Sequence, residues 1–324
     1  MKKHQKNKQT SDVRDNVKDK KKSRSAASGK PAAVAKKESG YSNQDSLAQH
    51  LATLLLGDTA PALKDILATK YEVPPFNASD FPPFDHLHTR GLVATKEMSE
   101  FLPLNPGARI LDIGCGIGGP ARYLAEQFAC HVDGIDLTKD FCETAELFNH
   151  LSGLDKKITI THGSALDLPY PDNSFDTVWT QHTSMNIAAK EGFYAEIHRV
   201  LKPGGMLLFH DIFLHPDTAG KTTEILLPVP WASEEKYSHL TYSELTRDLL
   251  AELGFLREVW NDVTAETLLW YLSSVDGNPQ KSKIPGLDPR LLIGQDLKLR
   301  AQNLKQNLSN GKLQVMQGVF QKIA

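Results

Sequence analysis

Chemistry-bearing side chains recur in this chain where apolar runs end. Asp112 sits inside the run Ile110–Ile113, and Asp136 directly follows His131–Ile135. Gln181 and His182 follow Phe175–Thr180, and His210 and Asp211 interrupt Met206–Phe213. Buried carboxylates accept charge-assisted hydrogen bonds, and an imidazole titrates close enough to neutrality to take up a proton. Between the first two aspartates lies Gly114-Cys-Gly-Ile-Gly-Gly119, with Pro120 next. Glycines let a backbone approach a ligand closely, and the N–H groups at a helix start attract an anion. The turn fits the pattern G-x-G-x-x-G, with Asp136 at about the spacing of the acidic residue in dinucleotide sites.

These residues need strands to carry them and helices to space them. The apolar runs predict strands at Arg109–Ile113, His131–Ile135, Ile158–Thr161, Phe175–Thr180 and Met206–Phe213. Helices are expected near Pro120–Phe128, from a Thr138 cap to about Leu151, and near Lys190–Leu201. Later come a helix near Tyr242–Leu253, a strand at Gly254–Trp260, helical stretches at 264–275 and 287–309, and a last strand at Leu313–Gln321. Two short amphipathic helices, Ser46–Leu56 and Pro61–Lys70, precede a Pro-rich turn, Asp85-His-Leu-His-Thr-Arg-Gly91 and a helix from Leu92 to about Leu102. Strands alternating with helices imply an α/β fold with a doubly wound, mostly parallel sheet. Residues 214–241, with Leu227-Pro-Val-Pro-Trp-Ala232, break the rhythm and read as an irregular cap.

The composition, 40% hydrophobic and 23% charged with a net charge of −2 over 324 residues, is that of a globular protein. It conceals an asymmetry. Residues 1–40 carry 13 Lys+Arg against 4 Asp+Glu, which leaves the other 284 residues at −11. Such a segment cannot bury enough apolar surface to fold, and it is read as a disordered basic tail ahead of a helical extension at 41–84. Cys115, Cys130 and Cys142 form no paired framework and have no zinc spacing, which fits reduced thiols in the cytoplasm and no metal. No apolar run reaches the length of a membrane span.

Four pieces in order and spacing resemble the class I S-adenosylmethionine-dependent methyltransferases over roughly residues 85–321. They are Leu111-Asp-Ile-Gly-Cys-Gly-Ile-Gly-Gly119, Gly134-Ile-Asp136, Asp167-Leu-Pro-Tyr-Pro-Asp-Asn-Ser-Phe-Asp176 and Arg199-Val-Leu-Lys-Pro-Gly-Gly205. Gly118-Gly-Pro-Ala-Arg-Tyr-Leu124 resembles the small-molecule branch, which includes sarcosine/dimethylglycine N-methyltransferases and sterol and tocopherol C-methyltransferases. The resemblance implies a Rossmann-like sheet of seven strands closed by an antiparallel hairpin, a catalytic domain over 85–324, an N-terminal helical cover and S-adenosylmethionine as cofactor. It places Asp136 on the ribose diol and the backbone of Gly114 and Gly116 beneath the methionyl portion, with Asp112, Cys115 and Leu137 among the cofactor-binding residues. Where many relatives carry an Asp for the adenine amino group this chain has Ser164, so Ser164, Asp167 or water would meet the adenine with the Ala165 N–H, and His88 and Arg90 the methionine carboxylate.

A nicotinamide enzyme would need a hydride-transfer acid, and the chain has no Tyr-x-x-x-Lys pair. It also lacks the Gly-x-Ser-x-Gly elbow of hydrolases. Ligands in such folds sit beyond the C-terminal strand ends, so Gln181 and His182 are expected to face the transferred methyl, with His182 as general base. Asn186, His210, Asp211 and Trp231 are expected to line the acceptor pocket. A polar pocket suits a small amine or glycine derivative. C- or O-methylation of a sterol, quinol or other lipid-like ring, and a non-catalytic cofactor-binding role, are the alternatives. The absence of an Asp/Asn-Pro-Pro-aromatic motif after the fourth strand argues against a nucleic-acid base as acceptor.

Overall fold

The computed structural model describes residues 46–102, 107–219, 224–275 and 281–323, and the basic segment 1–40 lies outside them. Three helices come first: α1 (Leu47–Leu56), α2 (Leu63–Ala68) and α3 (Leu92–Ser99). Ser46 starts α1, its hydroxyl accepting from the Gln49 N–H at 3.2 Å, so one of the helix's free donors is satisfied. The alternation follows: β1 (Arg109–Ile113), α4 (Gly119–Phe128), β2 (His131–Asp136), α5 (Lys139–Leu151), β3 (Ile158–His162), β4 (Phe175–Gln181), α6 (Lys190–Val200) and β5 (Leu201–Leu214). Then come α7 (Ser243–Glu252), β6 (Phe255–Asp262), α8 (Thr264–Trp270), α9 (Arg290–Ile293), α10 (Leu297–Ser309) and β7 (Leu313–Lys322).

The seven strands form one sheet in the order β3-β2-β1-β4-β5-β7-β6. The first five pair in parallel, and β7 runs antiparallel to both neighbours. Side chains alternate between faces along each strand. Leu111 and Ile113 therefore join Val178, Leu207 and Phe209 in one buried layer, with Phe193 and Ile197 of α6. Ile110, Val132, Trp179 and Leu208 point the other way, onto Ala121, Leu124 and Ala125 of α4. The reversal of strand order beside β1 sets the C-terminal ends of β1, β2 and β4 around a crevice, the usual ligand position in open α/β sheets.

The strands and helices expected from the sequence are present, with four local differences. β5 begins at Leu201 because Leu201 already pairs with Phe175, ahead of a register shift near Thr177. The stretch 287–309 is broken at Gly294, whose φ of +114° ends α9. Beyond Trp270 the helix widens into a π turn over Tyr271–Val275. Thr138 precedes α5 but makes no side-chain cap; Asp136 Oδ1 instead accepts from the Thr138 N–H at 2.8 Å.

The segment before α3 is fastened over the glycine turn. Asp85 and Arg122 form an ion pair of 2.8 Å with both side chains 1% exposed. The Arg122 guanidinium lies over the rings of Phe81 and Phe148. A Cβ on Gly119 would stand 2.2 Å from the Asp85 carbonyl oxygen, so only glycine lets the two backbones meet. The cap is held from the other side by α10, where Asn307 accepts from the Leu226 N–H and donates to the Leu226 carbonyl. Among the described residues no helix is long and apolar enough to cross a membrane.

Candidate active site

At the end of β2, Asp136 turns its carboxylate across the glycine turn. Oδ2 accepts from the Gly116 N–H at 3.0 Å and Oδ1 from the Thr138 N–H. Each oxygen keeps a lone pair for a further donor, such as a hydroxyl. Burial raises the Asp136 carboxyl above the usual range, and these two N–H groups oppose the rise. Gly114 and Gly116 have φ of +72° and +55°, and a Cβ on Gly116 would meet nothing within 4 Å. The turn therefore leaves room above its backbone at Gly116, whereas a Cβ on Gly114 would stand 2.2 Å from Thr183 Oγ1. Leu137 beside it is 56% exposed.

Asp112 lies beneath this turn, 2% exposed. Its Oδ2 is buried without a partner, and desolvation, with Asp136 nearby, pushes its carboxyl up to about 8. The buried Cys115 thiol is pushed well up by the same surroundings, first by burial, so it is an inert wall. Arg90 is 6% exposed, and its Nη2 donates to Glu97 while Nη1 is buried with no partner. Ser164 Oγ accepts from the Leu166 N–H at 3.1 Å, and Ala165 packs on the core beside it.

These groups fit S-adenosylmethionine. An open glycine cradle, a carboxylate with spare lone pairs and an orphaned buried guanidinium N–H match its sulfonium arm, ribose and carboxylate in chemical type. His88 does not fit its expected role. Its Nε2 lies 2.9 Å from the Gly91 carbonyl, so that nitrogen carries the proton. Burial holds the ring well below the usual histidine range, hence neutral. No N–H is left on it for a carboxylate.

On the acceptor side the structure departs from the polar pocket expected. Gln181 is 8% exposed. Its Oε1 accepts from Thr95 and from the Trp179 indole, and its Nε2 donates to Met98 Sδ. The amide is committed to α3 and does not face the strand ends. Asp211 accepts from the backbone N–H groups of Ser184 and Ile212 at 2.9 and 3.0 Å, and burial raises its carboxyl. At 1% exposure and with Lys190 already nearby, it is no free anion for an ammonium. Asn186 is exposed, at the end of a short turn, Ser184–Asn186. Trp231 donates to Ser238 Oγ at 3.0 Å and packs with Met185, Ile212, Tyr271 and Leu304 in an apolar cluster under the cap.

What remains polar is a histidine pair. His182 follows β4 in the left-handed region, φ +53°, a conformation costly for a non-glycine residue and common at functional positions. Its N–H donates to the His210 carbonyl at 2.9 Å, and the two rings stack 5.3 Å apart at 11°. His210 is fully buried and pushed down to about 3, by desolvation and by Arg90. His182 also falls well below the usual range, by desolvation and by His210. Thr89 Oγ1 lies 3.0 Å from Nε2 of each ring. Nothing in the sequence singles out Thr89, Asp85 or Arg122; their roles come from folding residues 85–91 over the turn, a contact between distant parts of the chain.

Comparisons with known proteins place the domain and the fold. Residues 111–209 match the methyltransferase domain family. The chain is 37% identical over 119 residues to a sterol 24-C-methyltransferase of Gibberella zeae, covering 35% of this chain and 31% of that protein. Over 129 residues it is 37% identical to the glycine/sarcosine/dimethylglycine N-methyltransferase of Actinopolyspora halophila, covering 40% and 23%. It thus spans about a quarter to a third of the length of these curated relatives. In fold it resembles a phosphoethanolamine N-methyltransferase of Haemonchus contortus solved with phosphomonomethylethanolamine and S-adenosylhomocysteine. That likeness has a TM-score of 0.60 at 20% identity, covering 82% of this chain and 61% of that one.

Proposed function

From a chain whose residues 111–209 match the methyltransferase domain family, we propose an enzyme that moves a methyl group from S-adenosylmethionine to a small-molecule acceptor. The observation that carries this reading is Asp136, poised at the end of β2 above an open glycine turn. In it, Asp136 holds the ribose, Gly114 and Gly116 underlie the methionyl arm, and Arg90 takes the carboxylate. Ser164 and Ala165 border the adenine. The cofactor supplies an electrophilic methyl group, so the protein's task is to align the acceptor and exclude water, effects worth roughly 7–11 kcal/mol.

Two neutral imidazoles at the end of β4 and in β5 suit an acceptor that arrives protonated, with His182 taking the proton. A small amine or glycine derivative, like the substrates in the name of the Actinopolyspora relative, is the acceptor class this favours. The apolar cluster of Met185, Trp231 and Tyr271 favours a second reading, an acceptor with a lipid-like body methylated at carbon or oxygen. The three buried, unpaired cysteines support a reducing compartment such as the cytoplasm.

Asp136→Ala removes two charge-assisted hydrogen bonds, worth about 3–6 kcal/mol together, so S-adenosylhomocysteine affinity by calorimetry should fall at least ~100-fold with the circular dichroism spectrum retained. Unchanged affinity would sink the assignment. A panel of glycine derivatives, simple amines, phenols and sterols, read by S-adenosylhomocysteine release, then separates the acceptor classes and distinguishes an enzyme from a purely cofactor-binding regulator.

A further inference from the structure

Parts of two motifs, Leu168-Pro-Tyr-Pro-Asp172 and Arg199-Val-Leu-Lys-Pro-Gly-Gly205, have no role in the site described above. They meet at one side chain. Arg199, on the last turn of α6, carries its N–H donors in a rigid fork, and every donor finds an acceptor. Nε and Nη2 hold the two carboxylate oxygens of Glu196, each at 2.8 Å. The remaining donors face the loop that follows β3. Nη2 also donates to the Leu168 carbonyl at 3.0 Å, and Nη1 donates to the Tyr170 carbonyl at 2.7 Å and to Asp172 at 2.9 Å. Glu196 Oε2 accepts from the Leu168 N–H at 2.8 Å, so both backbone groups of Leu168 are taken. The Leu168 side chain packs in the core with Phe193 and Ile197 of α6. That packing seats the loop, and the clamp fixes which way its backbone runs.

The other end of the loop is tied to the cofactor side, where the Gly163 N–H donates to the Asp136 carbonyl at 2.9 Å. Between the two anchors lies the turn Ser164–Asp167, closed by the Ser164 carbonyl accepting from the Asp167 N–H at 3.2 Å. We propose that Glu196 and Arg199 are positioning residues for the adenine of S-adenosylmethionine, holding this turn in its binding conformation before the cofactor arrives. The inference rests on the methyl-transfer reading, in which Ser164 and Ala165 border the adenine. Without the clamp the turn must be ordered at the moment of binding, which lowers affinity. The loss falls on ligands that reach the turn and spares those that end at the ribose. Lysine cannot replace the arginine, because its donors diverge from one atom and lack the planar fork.

The test is calorimetry on the full chain with two probes, S-adenosylhomocysteine and S-ribosylhomocysteine, the same molecule with its adenine removed. Wild type should bind the first more tightly. Arg199→Lys should lower S-adenosylhomocysteine affinity about tenfold and leave S-ribosylhomocysteine within about threefold, the pattern expected when loop ordering is added to one ligand only. Glu196→Gln keeps Arg199 but offers it one oxygen instead of two, and it should show the same selective loss. Arg199 is 30% and Glu196 20% exposed, so neither change strands a buried charge, and either folded variant decides. A loss shared equally by both probes would assign the pair to general stability and overturn the proposal. So would an S-adenosylhomocysteine affinity that the variants leave unchanged, or a wild type that binds both probes alike. A wild type that binds neither probe strikes the methyl-transfer reading itself, which is a separate failure.

Discussion

Asp112 has a folded-state pKa near 8, against roughly 3.9 in an unfolded chain. Between those values the native protein holds a proton that the unfolded chain has lost, so stability falls as pH rises from about 4 to 8 and then levels off. Each pH unit in that window costs up to about 1.4 kcal/mol. The histidines with lowered values act in the opposite direction: stability is gained as pH rises toward 6.5. Subtracting one protein from another isolates the aspartate. Asp112→Asn should gain stability relative to wild type progressively from pH 4 to 8 in urea titrations, and parallel curves would refute the buried, protonated carboxyl. Asp112, Asp136 and the glycines were legible in the sequence because the spacing of a strand, a turn and a second strand fixes where they fall. Gln181 and Asp211 sit on the strands as expected, yet their side chains are engaged elsewhere. Position along a strand follows from periodicity, whereas the partner a side chain finds depends on which distant segment folds against it.

At the scale of elements, the fastening of residues 85–91 decides the site. Arg122 is fully buried and donates to Asp85, Asn149 and the Ile117 carbonyl. Removing one member of a buried ion pair strands the other, at a cost of about 3–5 kcal/mol. Arg122→Ala should lose that much in urea denaturation, and S-adenosylhomocysteine affinity should fall with it, because Arg90 lies on the segment released. Replacing both partners, Arg122→Met with Asp85→Asn, should recover part of the stability; a double variant as unstable as Arg122→Ala would show that packing over Phe81 and Phe148 dominates. The helices and strands were readable to within a few residues, apart from an early start to β5. The break at Gly294 was missed because Ile293, Leu297, Ala301, Leu304 and Leu308 recur at helical spacing across it, although in the structure α9 packs with α1 and α5 while Leu304 and Leu308 pack beneath the cap.

For the whole molecule, the charge asymmetry predicts an accessory rather than catalytic role for residues 1–40. A chain lacking them should bind S-adenosylhomocysteine as tightly as the full chain, with turnover no more dependent on salt; a sharp loss of activity together with a steep salt slope would point to an acidic macromolecular partner. The sheet order itself was implied by alternation and resemblance, since parallel crossovers admit few topologies. That order also governs assembly. The strands are synthesised in numerical sequence, yet β7 occupies the place between β5 and β6. Until Leu313–Lys322 has been made, β6 has no neighbour, and the long edge of β5 stands open to any strand of another molecule. Completion of the domain is therefore an insertion rather than an addition, and the newborn protein is most vulnerable to aggregation just before its final strand slides home.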